Sequence, residues 1–329
     1  MKNLKKELEV LWRLQADSGG TSNQFIVQCL HNQLASSSSS SHTPIFTTPN
    51  SLSLSSPTSD PNQFSVPAHP MIGLVLECGG PNLQKFVLDN HSRLDAISRV
   101  QIMRDVVSAL EFLHDHHIVH GDLKPENIVS FSCLGEGMVR WKLIDLEHSH
   151  YLRSNPAPLV SYGMGFTPEY SAPEMLRVLG EEGAARGESL LVSRRLDIWS
   201  LGMVSVYIMK GCTVWRLLGL DSSPAMVRQM VREWKDEDLN RLLRFFREKE
   251  KTFLESCLRD RLSCGELLDK SLFGTGNSTL QGSDLRVSAQ MLEDLRNYFS
   301  QLMETSREAM TSEMSEALLD LAHLIQRQR

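Results

Sequence analysis

His120-Gly121-Asp122-Leu123-Lys124-Pro125-Glu126-Asn127-Ile128-Val129 is the stretch on which the reading of this chain turns. It sets a carboxylate (Asp122), a cation (Lys124) and a carboxamide (Asn127) on one short loop. That combination suits phosphoryl transfer. Such a transfer asks little covalent chemistry of the protein: the attacking hydroxyl must be oriented, phosphate charge neutralised and a magnesium ion held.

Working outward, Ile128 to Phe131 and Val139 to Ile144 are extended apolar runs separated by Gly135-Glu136-Gly137, a hairpin signal. A hairpin brings the residues at its open end together. Asn127 before the first strand and Asp145 after the second can therefore converge on one ion. Upstream, Leu94 to His117 carries apolar residues at threes and fours, a helical pattern. Downstream, Leu196 to Met209 is apolar nearly all round, which predicts a helix buried on every side at the centre of a helical lobe.

The first helix places Leu4, Leu8, Leu11 and Leu14 within an arc of about 120° at about 100° per residue, a stripe that faces a core. Glu7 falls inside that arc, and a carboxylate there calls for a cationic partner. Phe25 to Leu30 and Met71 to Glu77 read as neighbouring strands of one sheet. Between them, about 35–67, lies an insert that opens with the serines Ser36 to Ser41 and stays rich in Ser, Thr, Pro and Asn, too polar to order itself. Glu77 to Leu83 supplies turn residues for a change of direction between two lobes.

The totals bound the class. Of 329 residues, 41% are hydrophobic, enough for a sizeable core. The formal net charge of −6 offers no basic field for nucleic acid, and no apolar run is long enough to span a membrane. The six cysteines show no CxxC spacing, so reduced thiols in the cytoplasm or nucleus are expected rather than a zinc site or a disulfide framework.

In order, these pieces resemble the eukaryotic protein kinase domain from roughly residue 1 to residue 273. His120, Asp122 and Asn127 match the family's catalytic loop H-R-D-L-x-x-x-N, and Lys124 is similar to the form in Ser/Thr kinases. Asp145-Leu146-Glu147 stands where the family has D-F-G. Thr167-Pro168-Glu169-Tyr170 and Ala172-Pro173-Glu174 look like the end of an activation segment. Asp197 in DIWSLG resembles the aspartate that holds the catalytic loop from beneath, and Arg261 is a plausible partner for Glu174.

The resemblance implies an α+β, bilobal kinase-like fold. Residues 1–77 would form an incomplete small β lobe, 78–273 a mainly α-helical large lobe, and 274–329 a helical extension able to bind partners. It implies ATP and Mg2+ as cofactors and protein Ser/Thr hydroxyls as substrates. Asp122 would orient the hydroxyl proton, Lys124 would neutralise the transferred phosphoryl, and Asn127 with Asp145 would hold magnesium. Backbone groups of Glu77 and Cys78 would meet the adenine, and Glu7 would be the helix glutamate of the family's Lys–Glu pair. Thr167, Glu174, Asp197 and Arg261 would support or regulate the site.

Departures from the pattern are as informative. No Gly-rich loop and no lysine strand precede Glu7, so a chain truncated in its first lobe and impaired in activity is expected. Gly121 replaces an arginine that in many kinases reads a phosphate on the activation segment. Leu146 and Glu147 replace the packing phenylalanine and flexible glycine after Asp145. Two alternatives follow. One is a catalytically inactive pseudokinase that acts as a scaffold. The other is a small-molecule phosphotransferase similar to aminoglycoside and choline kinases, which fits HGD and DLE but not KPE, TPEY, APE or DIWSLG.

Overall fold

The computed structural model describes residues 2–17, 24–27, 29–32, 74–133, 138–160, 166–179, 183, 185–220, 223–270 and 272–273. The serine-rich insert, the Gly135–Gly137 turn and the helices expected beyond residue 277 lie outside the described residues.

Helix α1 (Lys2–Asp17) buries Leu8, Leu11 and Leu14, the stripe its sequence spells out. Strands β1 (Cys29–Asn32) and β2 (Leu74–Leu76) pair antiparallel, with Cys29 opposite Leu76. The strand expected at Phe25 to Leu30 is displaced toward Asn32. Ile26 and Val27 are buried, and Ile26 makes a lone parallel bridge to Leu143, with the Val27 N–H donating to the Leu143 carbonyl at 3.2 Å. That short stretch ties the small sheet to the layer below instead of extending it.

After a linker at 77–82, α2 (Leu83–Asn90) starts where the Asn82 side chain accepts the Lys85 N–H at 2.9 Å. Helix α3 (Ala96–Asp115) is shorter at both ends than the sequence pattern. Asp95 is extended and caps it by accepting the Ser98 N–H at 2.7 Å, and His117 turns left-handed at φ 59°. Strand β3 (Ile118–Val119) then leads into the loop and a short 3-10 turn at Pro125–Asn127. Strands β4 (Ile128–Cys133) and β5 (Met138–Leu143) form the hairpin, with Ile128 opposite Leu143. Strand β6 (His150–Tyr151) returns to pair with β3, and β7 (Leu159–Val160) pairs with β8 (Leu190–Leu191).

The rest is helical: α4 (Pro173–Leu179), α5 (Arg194–Lys210), α6 (Val214–Leu217), α7 (Pro224–Arg232), α8 (Asp236–Leu243), α9 (Glu248–Glu255), a π turn at Ser256–Asp260 and α10 (Cys264–Leu268). Helix α5 is buried from Leu196 to Met209. At Gly202 a Cβ would sit 2.6 Å from Leu258 Cδ2, so the absent side chain lets the π turn close on α5. Small two-stranded sheets set on a large helical body make an α+β protein whose buried axis is α3 against α5. Among the described residues no helix is long and apolar enough to cross a membrane.

Candidate active site

The site is built on Asp197, which α5 carries into the core at 1% exposure. Its Oδ2 accepts the His120 N–H at 2.8 Å and lies 2.9 Å from His114 Nε2, while Oδ1 accepts the Gly121 N–H at 3.0 Å. Burial pushes this carboxyl up, but the bonds and charge from His114, helped by His120 and Gly121, prevail and hold it below the usual aspartate range. The loop backbone is therefore anchored from below. It is also pinned from the side: Gly121 has φ +81°, and a Cβ there would sit 2.5 Å from the His148 carbonyl oxygen. Only glycine meets both conditions without strain.

With its floor fixed, the loop presents its polar side chains together. Lys124 Nζ lies 2.5 Å from Asp122 Oδ2 and donates to Thr167 Oγ1 at 3.0 Å. Asp122 Oδ1 accepts from Thr167 Oγ1 at 2.8 Å and from the Thr167 N–H at 3.1 Å. Asn127 donates through Nδ2 to the Asp122 carbonyl at 3.0 Å. Asp122, Lys124, Asn127 and Thr167 thus form one connected group, in which both oxygens of the aspartate carboxylate have a donor.

Asp145 follows β5, and the Ile144 N–H donates to the Asn127 carbonyl at 3.0 Å, so the hairpin's open end sets the two residues side by side. Asp145 is left-handed at φ 62°. Leu146 behind it is fully buried and held by the Ser149 N–H and Oγ on its carbonyl at 3.1 and 2.6 Å. Glu7 reaches this corner from α1. Burial raises its carboxyl first and the Asp145 charge raises it further, against one N–H bond from Leu146. Among the described residues, the groups acting on Glu7 are thus two carboxylates, Asp145 and Glu147, and a backbone amide. Glu147 lies 3.4 Å from His148 Nε2 and attracts the half-buried Lys6, whose pKa burial lowers.

Two residues that sequence reasoning missed complete the frame. Lys142 on β5 is buried with its Nζ 2.6 Å from Glu77 Oε1 and 4.8 Å from the centre of the Phe131 ring. The Glu77 side chain is consequently committed to β5. The linker is stitched to the same layer by Gly80 N–H to Ser130 carbonyl at 2.7 Å and Ser130 N–H to Pro81 carbonyl at 3.2 Å. Cys78 beside it is exposed. The second is His114, the partner of Asp197. A signal for it exists, since it falls four residues after Leu110 on the buried stripe of α3.

Glu174 and Arg261 stand apart from the Asp122 group. Arg261 Nη1 is 3.1 Å from Glu174 Oε1 and 3.0 Å from the Arg195 carbonyl, and its guanidinium lies 4.6 Å over the Trp199 ring. Among the described residues no group of three or more His, Cys, Asp or Glu side chains is disposed to hold a metal.

A charge-oriented loop anchored on a buried aspartate, beside a hairpin that ends in a second aspartate, is the arrangement of a phosphotransferase of the protein kinase type. A family model for the protein kinase domain matches residues 63–273, and the chain belongs to that family. It is 31% identical over 142 residues to the dual specificity protein kinase TTK of Mus musculus, covering 43% of this chain and 16% of that one. Similarity extends to myosin light chain kinase family member 4 of Mus musculus, 25% identical over 165 residues covering 50% of this chain and 38% of that one. Smooth muscle myosin light chain kinase of Gallus gallus is 26% identical over 200 residues, 60% of this chain and 10% of that one. The matched stretch spans well under two thirds of each relative's own length.

Proposed function

We propose that this protein kinase transfers the terminal phosphoryl group of ATP to serine and threonine hydroxyls of protein substrates. Asp122 takes or orients the hydroxyl proton, and Lys124 neutralises the phosphoryl in flight. The observation that carries this reading is Thr167 Oγ1, a threonine hydroxyl held at 2.8 Å from Asp122 and 3.0 Å from Lys124. The space between the two groups is thus one that an aliphatic hydroxyl fits.

Asn127 and Asp145 are the residues that would hold magnesium. The donors suit it: Asn127 spends Nδ2 on the Asp122 carbonyl and keeps its amide oxygen, and Asp145 shares its corner with the carboxylate of Glu7. When bound, the ion neutralises phosphate charge. In this reading the backbone of Glu77 and Cys78 meets the adenine, with the Lys142 bond keeping the Glu77 side chain out of its way. Asp197, Glu174 and Arg261 act as supports. The boundary between lobes falls at 77–78, and the free thiols of Cys78, Cys212, Cys257 and Cys264 support a reducing compartment, cytoplasm or nucleus.

The test is phosphate transfer by the full chain to peptides that differ only in a Ser, Thr or Tyr acceptor. Asp122→Asn should lower transfer to Ser and Thr by about 10²–10⁴-fold. Equal rates for the variant and the parent would overturn the assignment of Asp122, and preference for Tyr would overturn the acceptor class. A second reading, a kinase fold that binds partners without transfer, is favoured by Leu146 and Glu147 standing where the family has phenylalanine and glycine after the aspartate. It predicts no magnesium-ATP thermal shift at millimolar nucleotide.

A further inference from the structure

A cavity of about 760 Å³ opens between the first turns of α3, the end of α5 and residues 244–250. None of its lining residues belongs to the Asp122 group. Its floor is apolar, from Val100, Met103, Met209, Phe246 and Leu272, and Phe245 at its edge is 46% exposed. Its rim is cationic. Arg99 is spent on the Met209 and His91 carbonyls at 3.1 and 2.8 Å, and Lys210 Nζ lies 4.4 Å over the Phe246 ring. Arg244, Arg247 and Lys249 remain, and among the described residues no carboxylate pairs with their side chains. The two rim acids are occupied, Glu250 by the Arg247 N–H at 2.9 Å and Glu248 by Lys251 at 3.4 Å. An apolar floor under unmatched positive charge suits an acidic amphipathic segment.

The chain itself carries one, and it leaves the described residues at this cavity's edge. Leu272 lines the cavity, and Phe273 is fixed by an edge-to-face contact with Phe253 at 5.4 Å and by Arg104 donating to its carbonyl. Farther on, residues 303–321 hold Glu304, Glu308, Glu313, Glu316 and Asp320 against Arg307 alone. In the same stretch Met303, Met310, Met314 and Leu321 fall within an arc of about 40° at about 100° per residue. Glu304, Glu313 and Asp320 flank that arc at about 80–100° from its centre, whereas Glu308 and Glu316 lie about 140° away, on the opposite face. Methionine is well suited to an irregular apolar floor because its side chain is unbranched and polarizable.

We propose that residues 303–321 of this chain seat on the cavity as an amphipathic helix, methionine stripe down and Glu304, Glu313 and Asp320 toward Arg244, Arg247 and Lys249. The segment and the cavity belong to one chain, so their meeting is intramolecular, and at an effective concentration on the order of millimolar an intrinsic affinity of only about 0.1 mM leaves the site mostly filled. The contact does not involve the phosphotransfer groups, so it stands or falls independently of the proposed chemistry.

Amide hydrogen exchange on the full chain tests it. Glu304→Lys/Glu313→Lys/Asp320→Lys changes none of the described residues and should speed exchange at 245–249 by about tenfold. Arg244→Glu/Arg247→Glu/Lys249→Glu should speed exchange in 303–321 to the same extent, with the amides at 196–205, in the part of α5 away from the cavity, unchanged as the control for folding. Joining the two sets should restore protection, because the charges are then merely exchanged. Unaltered exchange at 245–249 in the tail variant overturns the proposal. Protection that grows with protein concentration also overturns it, since the occupant would then be a second copy.

Discussion

Asp197 and Glu7 are both carboxylates drawn out of water close to the same loop, and the fold shifts them in opposite directions. Asp197 is buried more deeply, yet its carboxyl is held below the usual range because two backbone N–H groups and His114 meet its oxygens. Glu7 is only half buried, yet burial raises it and the Asp145 charge raises it further, because among the described residues a single N–H, that of Leu146, opposes them. Depth of burial therefore does not set the sign. The number of donors arranged around the ionised form does. The floor of the site is electrostatically finished, and the corner beneath α1 carries surplus negative charge.

The largest expected effect comes from breaking the finished side. Asp197→Ala leaves His114 and the N–H groups of His120 and Gly121 without their acceptor inside the core. Removing one partner of such a buried set costs about 3–5 kcal/mol. Urea unfolding should show a lower midpoint with an unchanged slope, and a loss under about 1 kcal/mol would mean the loop is anchored elsewhere.

Next in size is Gly121→Ala. The φ of +81° and the His148 carbonyl oxygen, 2.5 Å from where the alanine methyl would stand, act together at this residue. A non-glycine residue forced into such a conformation costs about 1–3 kcal/mol. Because Gly121 also donates to Asp197, the double variant Gly121→Ala/Asp197→Ala should lose less than the sum of the singles. Strict additivity in the unfolding energies would refute the claim that the two residues fix one loop.

The finished side is also the legible side. Asp122, Lys124 and Asn127 are three polar residues within six positions, and Asp197 interrupts an otherwise apolar helix, so local pattern exposes each of them. The α+β class follows from the same local signals. What the sequence hides are pairs made at long range. Lys142 and Glu77 are 65 positions apart and His114 and Asp197 are 83 apart, so neither partner names the other until α3, β5 and the linker are packed. The displaced first strand has the same origin: Ile26 and Val27 have strand-forming side chains, but their partner is Leu143 rather than the strand that follows them. Glu7 is the intermediate case. Its inward position is readable from the helix period, and its neighbours Asp145 and Leu146 are not.

A smaller effect is expected at His150 on β6, which lines a cavity beside Lys6 of α1. Burial, helped by the Lys6 charge and opposed by Asp197, lowers its pKa to about 4, and its Nε2 has no hydrogen-bond partner among the described residues. The folded protein then binds fewer protons than the unfolded chain between about pH 4 and pH 6.5, so stability falls as pH is lowered through that window. In His150→Leu the fall should be shallower than in the parent. Identical slopes over that range would show that the histidine is not what acid attacks.

The smallest effect carries the comparison to its sharpest point. With its carboxyl raised, Glu7 keeps a proton in the folded state that the unfolded chain has lost, so stability declines as pH rises above the ordinary glutamate value. Glu7→Gln removes that titration and the repulsion from Asp145, while its amide oxygen can still accept the Leu146 N–H. At pH 7 the variant should melt slightly higher than the parent, and the decline on the alkaline side of about pH 4.5 should flatten. Asp197→Asn makes the same carboxylate-to-amide change where the donors demand charge, and it should melt lower. If both variants shift in one direction, the donors around each carboxylate do not decide its behaviour, and burial alone must be restored as the governing variable.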